Sequence, residues 1–274
     1  MPKASNMSPT WLLESVKAGL IKNFEGTTDQ AGYVNLPQGN LLPGVRMEQF
    51  EAELEQGDGN ELGGSFCAVH SSAALAINTF APFKSNPSDF VILGRTGLND
   101  LSFEEKVSTG LKGNPPNLDV YLQFGNESIG LESKFTEYFS PKQAEFSKSY
   151  NPQKLPWAED VWWKIKEEAE KSDSRHLDVA QLVKHYFGLS RLIHNGETQS
   201  VSLMYVFWEP ENAEDLEICQ KHREELSDFR EKTKGSEVSF SWLPYPDLWR
   251  EWSEIPALST HAQNLIDRYS VTVP

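Results

Sequence analysis

Apolar residues recur every three or four positions in several stretches of the chain, which is the pattern of amphipathic helices. The clearest case is 176–196, where Asn195 followed by Gly196 supplies a helix-ending signal. Near the N-terminus, Ser8 before Pro9 is typical of a helix start. We expect helices at residues 8–26, 47–57, 65–83, 157–171, 176–196 and 212–235, with short helices at the C-terminus.

Other stretches have the composition and spacing of strands. Residues 200–208 are apolar on both faces and predict a central strand, and residues 237–243 predict another. Residues 89–94 are also strand-like, whereas 101–113 has the pattern of a helical turn or a loop. Two short alternating segments around a tight turn predict a β-hairpin at 117–135.

The order of these elements is helix, strand, strand, strand, helix, strand, helix, strand. A hairpin followed by helical crossovers predicts an α/β fold with a mixed central sheet flanked by helices. Neither an internal repeat nor a linker divides the chain, so we expect a single domain over residues 1–274. Within it we expect a core at about 60–210 and a helical insertion at about 140–175.

The predicted hairpin carries charged residues where apolar ones would suffice. A two-residue turn at Gly125-Asn126 makes the numbers of paired residues sum to 251, which places Asp119 opposite Glu132. Side chains opposite each other in such a pair lie roughly 4.5–5.5 Å apart at Cβ. Lys134 shares the face of Glu132, because side chains alternate along a strand. The other face is apolar and would pack on the core.

Two neighbouring carboxylates repel each other unless a cation lies between them. Asp119 and Glu132 would therefore suit Mg²⁺, with Mn²⁺ as an alternative, because Mg²⁺ binds one or two carboxylates and leaves its other positions to water and phosphate. Lys134 beside such an ion would orient or deprotonate water and stabilise phosphate charge. This combination predicts metal-assisted hydrolysis of a phosphodiester.

The segments "PPNLD" and, twelve residues later, "ESK" resemble the signature of the PD-(D/E)xK nuclease superfamily. Pro116, Asp119, Glu132 and Lys134 match it, although "NL" separates the proline from the aspartate. The segment "ELGGSFCAVHSSAALAINTF" further resembles a bacterial group of restriction-endonuclease-like proteins. The resemblance implies an αβββαβ core and a Mg²⁺-dependent DNA endonuclease, and a homodimer would suit cleavage of both strands.

The resemblance also implies further site residues. It makes Asp119 and Glu132 metal ligands, adds the Ser133 carbonyl as a third, and makes Lys134 catalytic. A glutamate from the first core helix often completes such a site, and Glu61 is our first choice. Other candidates from the same reasoning are Glu53 and Glu48 as replacements for Glu61, Gln181 from the helix after the hairpin, and Lys184 or Tyr186 a turn later.

Several of these residues also have a purely structural interpretation. Ser71 and Ser72 suit contact with a phosphate, but small residues also let a helix pack closely on a sheet. Gln181 equally suits an ordinary helix surface. Glu104 and Lys106 repeat the Glu-x-Lys spacing, but Ser102 before "FEEK" reads as a capped helix start. The histidines lack metal-ligand spacing, so His176, His185 and His194 read as ordinary helix residues.

Composition changes the functional interpretation more than the structural one. The net charge is −15, whereas nucleic-acid binders usually carry a basic footprint. This charge favours the alternative of a catalytically silent relative that serves as a nucleic-acid or protein interaction module. A hydrolase acting on another substrate is a third reading. The two cysteines lack metal spacing, no apolar run approaches the roughly 20 residues that span a bilayer, and we see no secretion signal, so we expect a cytoplasmic protein.

Overall fold

The computed structural model describes residues 8–56 and 62–274. Its centre is a five-stranded sheet whose strands lie side by side in chain order. The strands are β1 (Asp100–Lys106), β2 (Asn117–Phe124), β3 (Glu127–Lys134), β4 (Ser200–Phe207) and β5 (Val238–Pro244). The pairs β1–β2 and β2–β3 are antiparallel, whereas β3–β4 and β4–β5 are parallel. The sheet is therefore mixed, as the element order predicts.

Helices cover this sheet and supply the parallel crossovers. The α-helices are α1 (Pro9–Asn23), α2 (Glu51–Leu54), α3 (Ser72–Phe80), α4 (Pro82–Ser85), α5 (Asp160–Lys171), α6 (Val179–His194), α7 (Glu217–Lys232), α8 (Tyr245–Ser253) and α9 (Ser259–Tyr269). Single 3₁₀ turns lie at Pro37–Asn40, Met47–Gln49, Ser65–Cys67, Pro87–Asp89, Glu137–Phe139 and Ala213–Asp215. In the described part of the chain, no helix is long and apolar enough to cross a membrane.

Local sequence signals account for the ends of the longer helices. The Ser8 side chain accepts a hydrogen bond from the Trp11 N–H, which caps α1 as predicted. Helix α6 ends at His194 with Asn195 as its C-cap, and Gly196 follows with φ of 73°, a value that glycine tolerates without a Cβ clash. The mixed sheet and its covering helices confirm the predicted single-domain α/β fold. The segment at 140–175 leaves the sheet after β3, and an isolated bridge between Lys142 and Arg175 joins its two ends.

Two predicted elements near the first strand are wrong. Residues 89–94 form no strand: Asp89 ends a 3₁₀ turn, and a tight turn between Ile92 and Arg95 follows, in which Leu93 and Gly94 have positive φ. The first strand is instead β1, within the segment expected to be a helical turn or loop. The hydroxyl of Ser102 donates to Glu105 at 2.9 Å along this strand, so the pair that resembles a helix cap makes a local contact in extended backbone. Alternating burial of Leu101 and Phe103 outweighs the capping signal.

The hairpin has the predicted register. Val120 pairs with Leu131 and Phe124 with Glu127, so the paired numbers sum to 251. Gly125 at the turn has φ of 63°. The predicted apolar face is fully buried, with Val120, Leu122, Ile129 and Leu131 at 0% exposure. These residues fix β2 and β3 in the core and leave the polar residues of β3 for the opposite face.

Helices pack closely against both faces of the hairpin. On one face, a Cβ added to Gly130 would lie 2.8 Å from Leu118 and 3.0 Å from Leu189, so glycine is what lets α6 approach β3 here. On the other face, the Ser133 hydroxyl lies 2.7 Å from the Tyr245 hydroxyl of α8. The end of β3 is consequently held from both sides.

Candidate active site

The last residues of β3 place an acid and a base at the edge of the core. Glu132 is completely buried, and the Lys134 side chain is 12% exposed. The Lys134 ammonium donates a short hydrogen bond to Oε1 of Glu132 and forms an ion pair with it. A buried charge is tolerated only when it is paired in this way. The predicted acid and lysine therefore lie together.

Helix α6 supplies the partners that hold this pair. Oε1 of Gln181 accepts a hydrogen bond from Lys134 Nζ at 3.0 Å. One helical turn later, Nε2 of His185 lies 2.7 Å from Oε2 of Glu132. The helix start is itself fixed, because Oδ1 of Asp178 accepts from the Gln181 N–H at 3.0 Å. One face of α6 thus contacts both members of the pair.

Asp119 lies one residue beyond the last pair between β2 and β3. Its Oδ2 accepts a hydrogen bond from the Ser133 N–H at 2.6 Å, which brings the carboxylate beside the end of β3. Asp119 is half-buried, so part of this residue lies at the surface of the described chain. The structure therefore brings Asp119, Glu132, Ser133, Lys134 and Gln181 together.

The charges of the site do not balance. Burial and then the neighbouring Glu132 carboxylate raise the pKa of Asp119 well above its usual value. Burial also acts to raise the pKa of Glu132, but the Lys134 ammonium and the His185 hydrogen bond outweigh it and lower that pKa. Burial opposes the charge of Lys134, yet Glu132 and Asp119 raise its pKa well above the usual value. Among the described residues, one ammonium thus faces two carboxylates, and Asp119 is the one whose charge is not fully offset.

Backbone strain lies next to Asp119. Glu104 of β1 has φ of 52°, which a non-glycine residue rarely adopts. Its neighbours Phe103 and Glu105 pair with Val120 and Leu118, so Glu104 lies alongside Asp119. Its charge also raises the pKa of Asp119. Strained backbone often marks functional sites, and here it lies directly beside Asp119.

The donor set fits a hard divalent cation that keeps water ligands. Two carboxylates and a backbone carbonyl are oxygen donors of the kind Mg²⁺ uses, and an added cation would offset the uncompensated charge at Asp119. Over residues 8–56 and 62–274, no group of three or more histidine, cysteine, aspartate or glutamate side chains is arranged to hold a metal. The side chains of these residues alone therefore do not complete a metal coordination sphere. They fit an ion that water and a phosphate would also coordinate.

Other predicted site residues lie elsewhere. Ser71 caps α3, its hydroxyl accepting from the Ala74 N–H at 3.2 Å, and Ser72 is the half-buried first residue of that helix. Lys184 lies over the ring of Phe146 at 5.5 Å. Tyr186 is buried against α5, with its ring stacked 4.0 Å from that of Trp162. None of these contacts involves the carboxylates of Asp119 or Glu132.

The glutamates considered for a third acidic ligand also differ in position. Glu61 lies outside the described residues. Glu53 accepts from the Phe103 N–H at 3.0 Å and pairs with Lys84, so it ties α2 to β1. Glu48 is exposed beside Arg46. Glu53 and Glu48 thus have partners away from the end of β3.

His185 is the residue that sequence reasoning missed. It is a residue of α6, as predicted, but the sequence did not indicate that it is 1% exposed and contacts Glu132. The available signal was its spacing, four residues after Gln181 on the same helix face. The residues predicted from the sequence were instead its neighbours Lys184 and Tyr186, whose side chains contact Phe146 and Trp162.

A protein-family model matches most of the chain. The model, described as "Restriction Endonuclease associating with ARP", matches residues 14–270. No curated protein matches the chain, and no solved structure matches it. The matched range includes every strand of the sheet and every residue brought together at the end of β3. The chain belongs to this family of restriction endonucleases associating with ARP.

Proposed function

We propose that the protein is a metal-dependent phosphodiester hydrolase, specifically a DNA endonuclease of the PD-(D/E)xK type. The observation that carries this proposal is the buried Glu132–Lys134 pair beside Asp119, a second carboxylate whose charge the single ammonium does not fully offset among the described residues. Structural ion pairs are usually balanced, because an unpaired buried charge is unfavourable. A carboxylate in excess of the positive charges is instead typical of a site that binds a cation.

Each residue has a distinct role in this proposal. Asp119, Glu132 and the Ser133 carbonyl would hold Mg²⁺ or Mn²⁺, and the bound ion would supply an activated water and charge stabilisation at the phosphate. Lys134 has a raised pKa and is therefore an ammonium in this arrangement, so it donates hydrogen bonds. It would orient the attacking water or stabilise a phosphate oxygen. Gln181 keeps the ammonium directed at the site.

The substrate and setting follow from the same reasoning. Membership of a restriction-endonuclease family supports nucleic acid as the partner, and we propose DNA. A homodimer would bring two such sites to the two strands of a duplex. Cys67 and Cys219 are both buried free thiols, which is compatible with the cytoplasmic location we propose.

Metal-dependent cleavage tests the proposal directly. Supercoiled plasmid, linear duplex, single-stranded DNA and RNA would be incubated with wild type, Asp119→Asn and Lys134→Met, in Mg²⁺, Mn²⁺ or EDTA. We expect wild type to cut DNA with either ion and not in EDTA, and each variant to lose at least about 100-fold in rate, within the range for removing a group that acts in the transition state. Lys234→Met is the matched control, because Lys234 is an exposed lysine near the end of α7.

Two results would contradict this assignment in different ways. Cleavage that persists in both site variants would show that the activity resides elsewhere. Absence of cleavage of every substrate by folded wild type would favour the alternative, a silent relative that acts as a nucleic-acid or protein interaction module. The observation favouring that alternative is the net charge of −15, which opposes binding to a polyanion.

A further inference from the structure

His185 makes one hydrogen bond with its two ring nitrogens. Nε2 lies 2.7 Å from Oε2 of Glu132, while Nδ1 is buried and has no hydrogen-bond partner within the described residues. Both residues are almost completely enclosed, at 1% and 0% exposure. A buried polar atom without a partner is unfavourable, so the imidazole is retained at an energetic cost.

The partner determines which nitrogen carries the proton. Glu132 forms an ion pair with the Lys134 ammonium, and an ionised carboxylate can only accept hydrogen bonds. Nε2 must therefore donate its N–H to Oε2. In the neutral tautomer the buried Nδ1 is then an unpaired acceptor, which is less unfavourable than an unpaired N–H. The ring thus makes a single hydrogen bond, donated from Nε2 to Glu132.

The two oxygens of Glu132 have different partners as a result. Oε2 is held by His185 from inside the core, whereas Oε1 faces the half-buried Lys134. The Lys134 side chain is flexible and can move away from Oε1 when another cation binds there. The buried His185 ring cannot move in this way, so Oε2 stays bound to it. Oε1 would then be the oxygen available to an ion.

We propose that His185 is a positioning residue that fixes Glu132 with Oε1 presented to the divalent cation. This inference rests on the proposed metal site and adds a residue outside its ligand set. Ligand orientation by such a neighbouring hydrogen bond typically contributes 10–100-fold to metal affinity. Packing alone would be served by an apolar side chain, as at Leu182 and Leu189 of the same helix, both of which are fully buried.

A pair of amide substitutions separates positioning from packing. In His185→Gln the amide nitrogen can reach the place of Nε2, whereas in His185→Asn it reaches only the place of Nδ1. Both variants are polar and uncharged, so burial is similar. Mn²⁺ affinity of the intact chain is measured by isothermal titration calorimetry, with urea unfolding run on each variant. We expect His185→Gln to bind within about threefold of wild type and His185→Asn to bind about 10–100-fold more weakly.

The outcomes distinguish this inference from the proposed function. Equal Mn²⁺ affinity in wild type, His185→Gln and His185→Asn would overturn the positioning role while leaving the metal site intact. Equal losses in both variants would also overturn it, since the restored donor would then have no effect. If wild type binds no Mn²⁺, or if Asp119→Asn leaves the affinity unchanged, the metal site itself fails and the inference fails with it.

Discussion

The uncompensated charge of Asp119 predicts that Asp119→Asn stabilises the protein at neutral pH. Two carboxylates share one ammonium at the end of β3, and both burial and Glu132 raise the pKa of Asp119. Asparagine removes the charge but keeps an oxygen to accept the Ser133 N–H, and its amide group can reach solvent because position 119 is half-buried. A substitution at a proposed metal ligand would thus increase the free energy of unfolding.

The sign and size follow from proton linkage. Below the usual Asp pKa of 3.8, Asp119 is protonated in both the folded and the unfolded chain. As the pH rises past that value, the unfolded chain loses the proton while the folded chain retains it, so wild type loses stability until the raised pKa is passed. Each unit by which the folded pKa exceeds the unfolded one corresponds to about 1.4 kcal/mol. Asparagine does not titrate, so the advantage of Asp119→Asn grows over this same interval.

Urea unfolding without divalent ions measures the difference in free energy of unfolding between Asp119→Asn and wild type. A range of roughly pH 3.5 to 8 starts near the usual carboxyl pKa and extends well above it. Added Mg²⁺ should then raise the stability of wild type by about 2.7 kcal/mol at 100 times its Kd, and leave Asp119→Asn unchanged. Asp247→Asn is the control, since Asp247 is an exposed acid paired with Arg250 and should change stability by less than about 0.5 kcal/mol. A variant less stable than wild type at pH 7.5, or a pH-independent difference, would refute the charge argument.

Two further predictions concern the packing that positions the site. Trp162→Ala should lower the free energy of unfolding by about 3–5 kcal/mol, because the ring is fully buried and stacks on Tyr186; a loss below about 1 kcal/mol in urea unfolding would contradict this. Gly130→Ala should cost about 1–3 kcal/mol, because its Cβ would meet Leu118 and Leu189; an unchanged or higher melting temperature would show that α6 can move away from β3.

Much of the fold could be predicted because the signals are local. Alternation along the hairpin, a turn with a glycine and helical periodicity each depend on residues close in sequence. The same signals place Asp119 and Glu132 at one level of the hairpin, since register follows from the turn. The error at β1 has the opposite origin: Ser102 and Glu105 satisfy a local capping pattern, but pairing with β2 decides the conformation.

The sequence by itself determined the strand pair, its register and the candidate acid–lysine motif, because all of these follow from spacing and a turn. Only the tertiary structure decided which side of α6 meets β3, and hence that His185 rather than Lys184 contacts Glu132. The physical reason is that α6 follows β3 by more than forty residues of chain, and its rotation is set by packing around Gly130 and Leu189. The charge imbalance at Asp119 likewise exists only once burial and neighbours are combined in three dimensions.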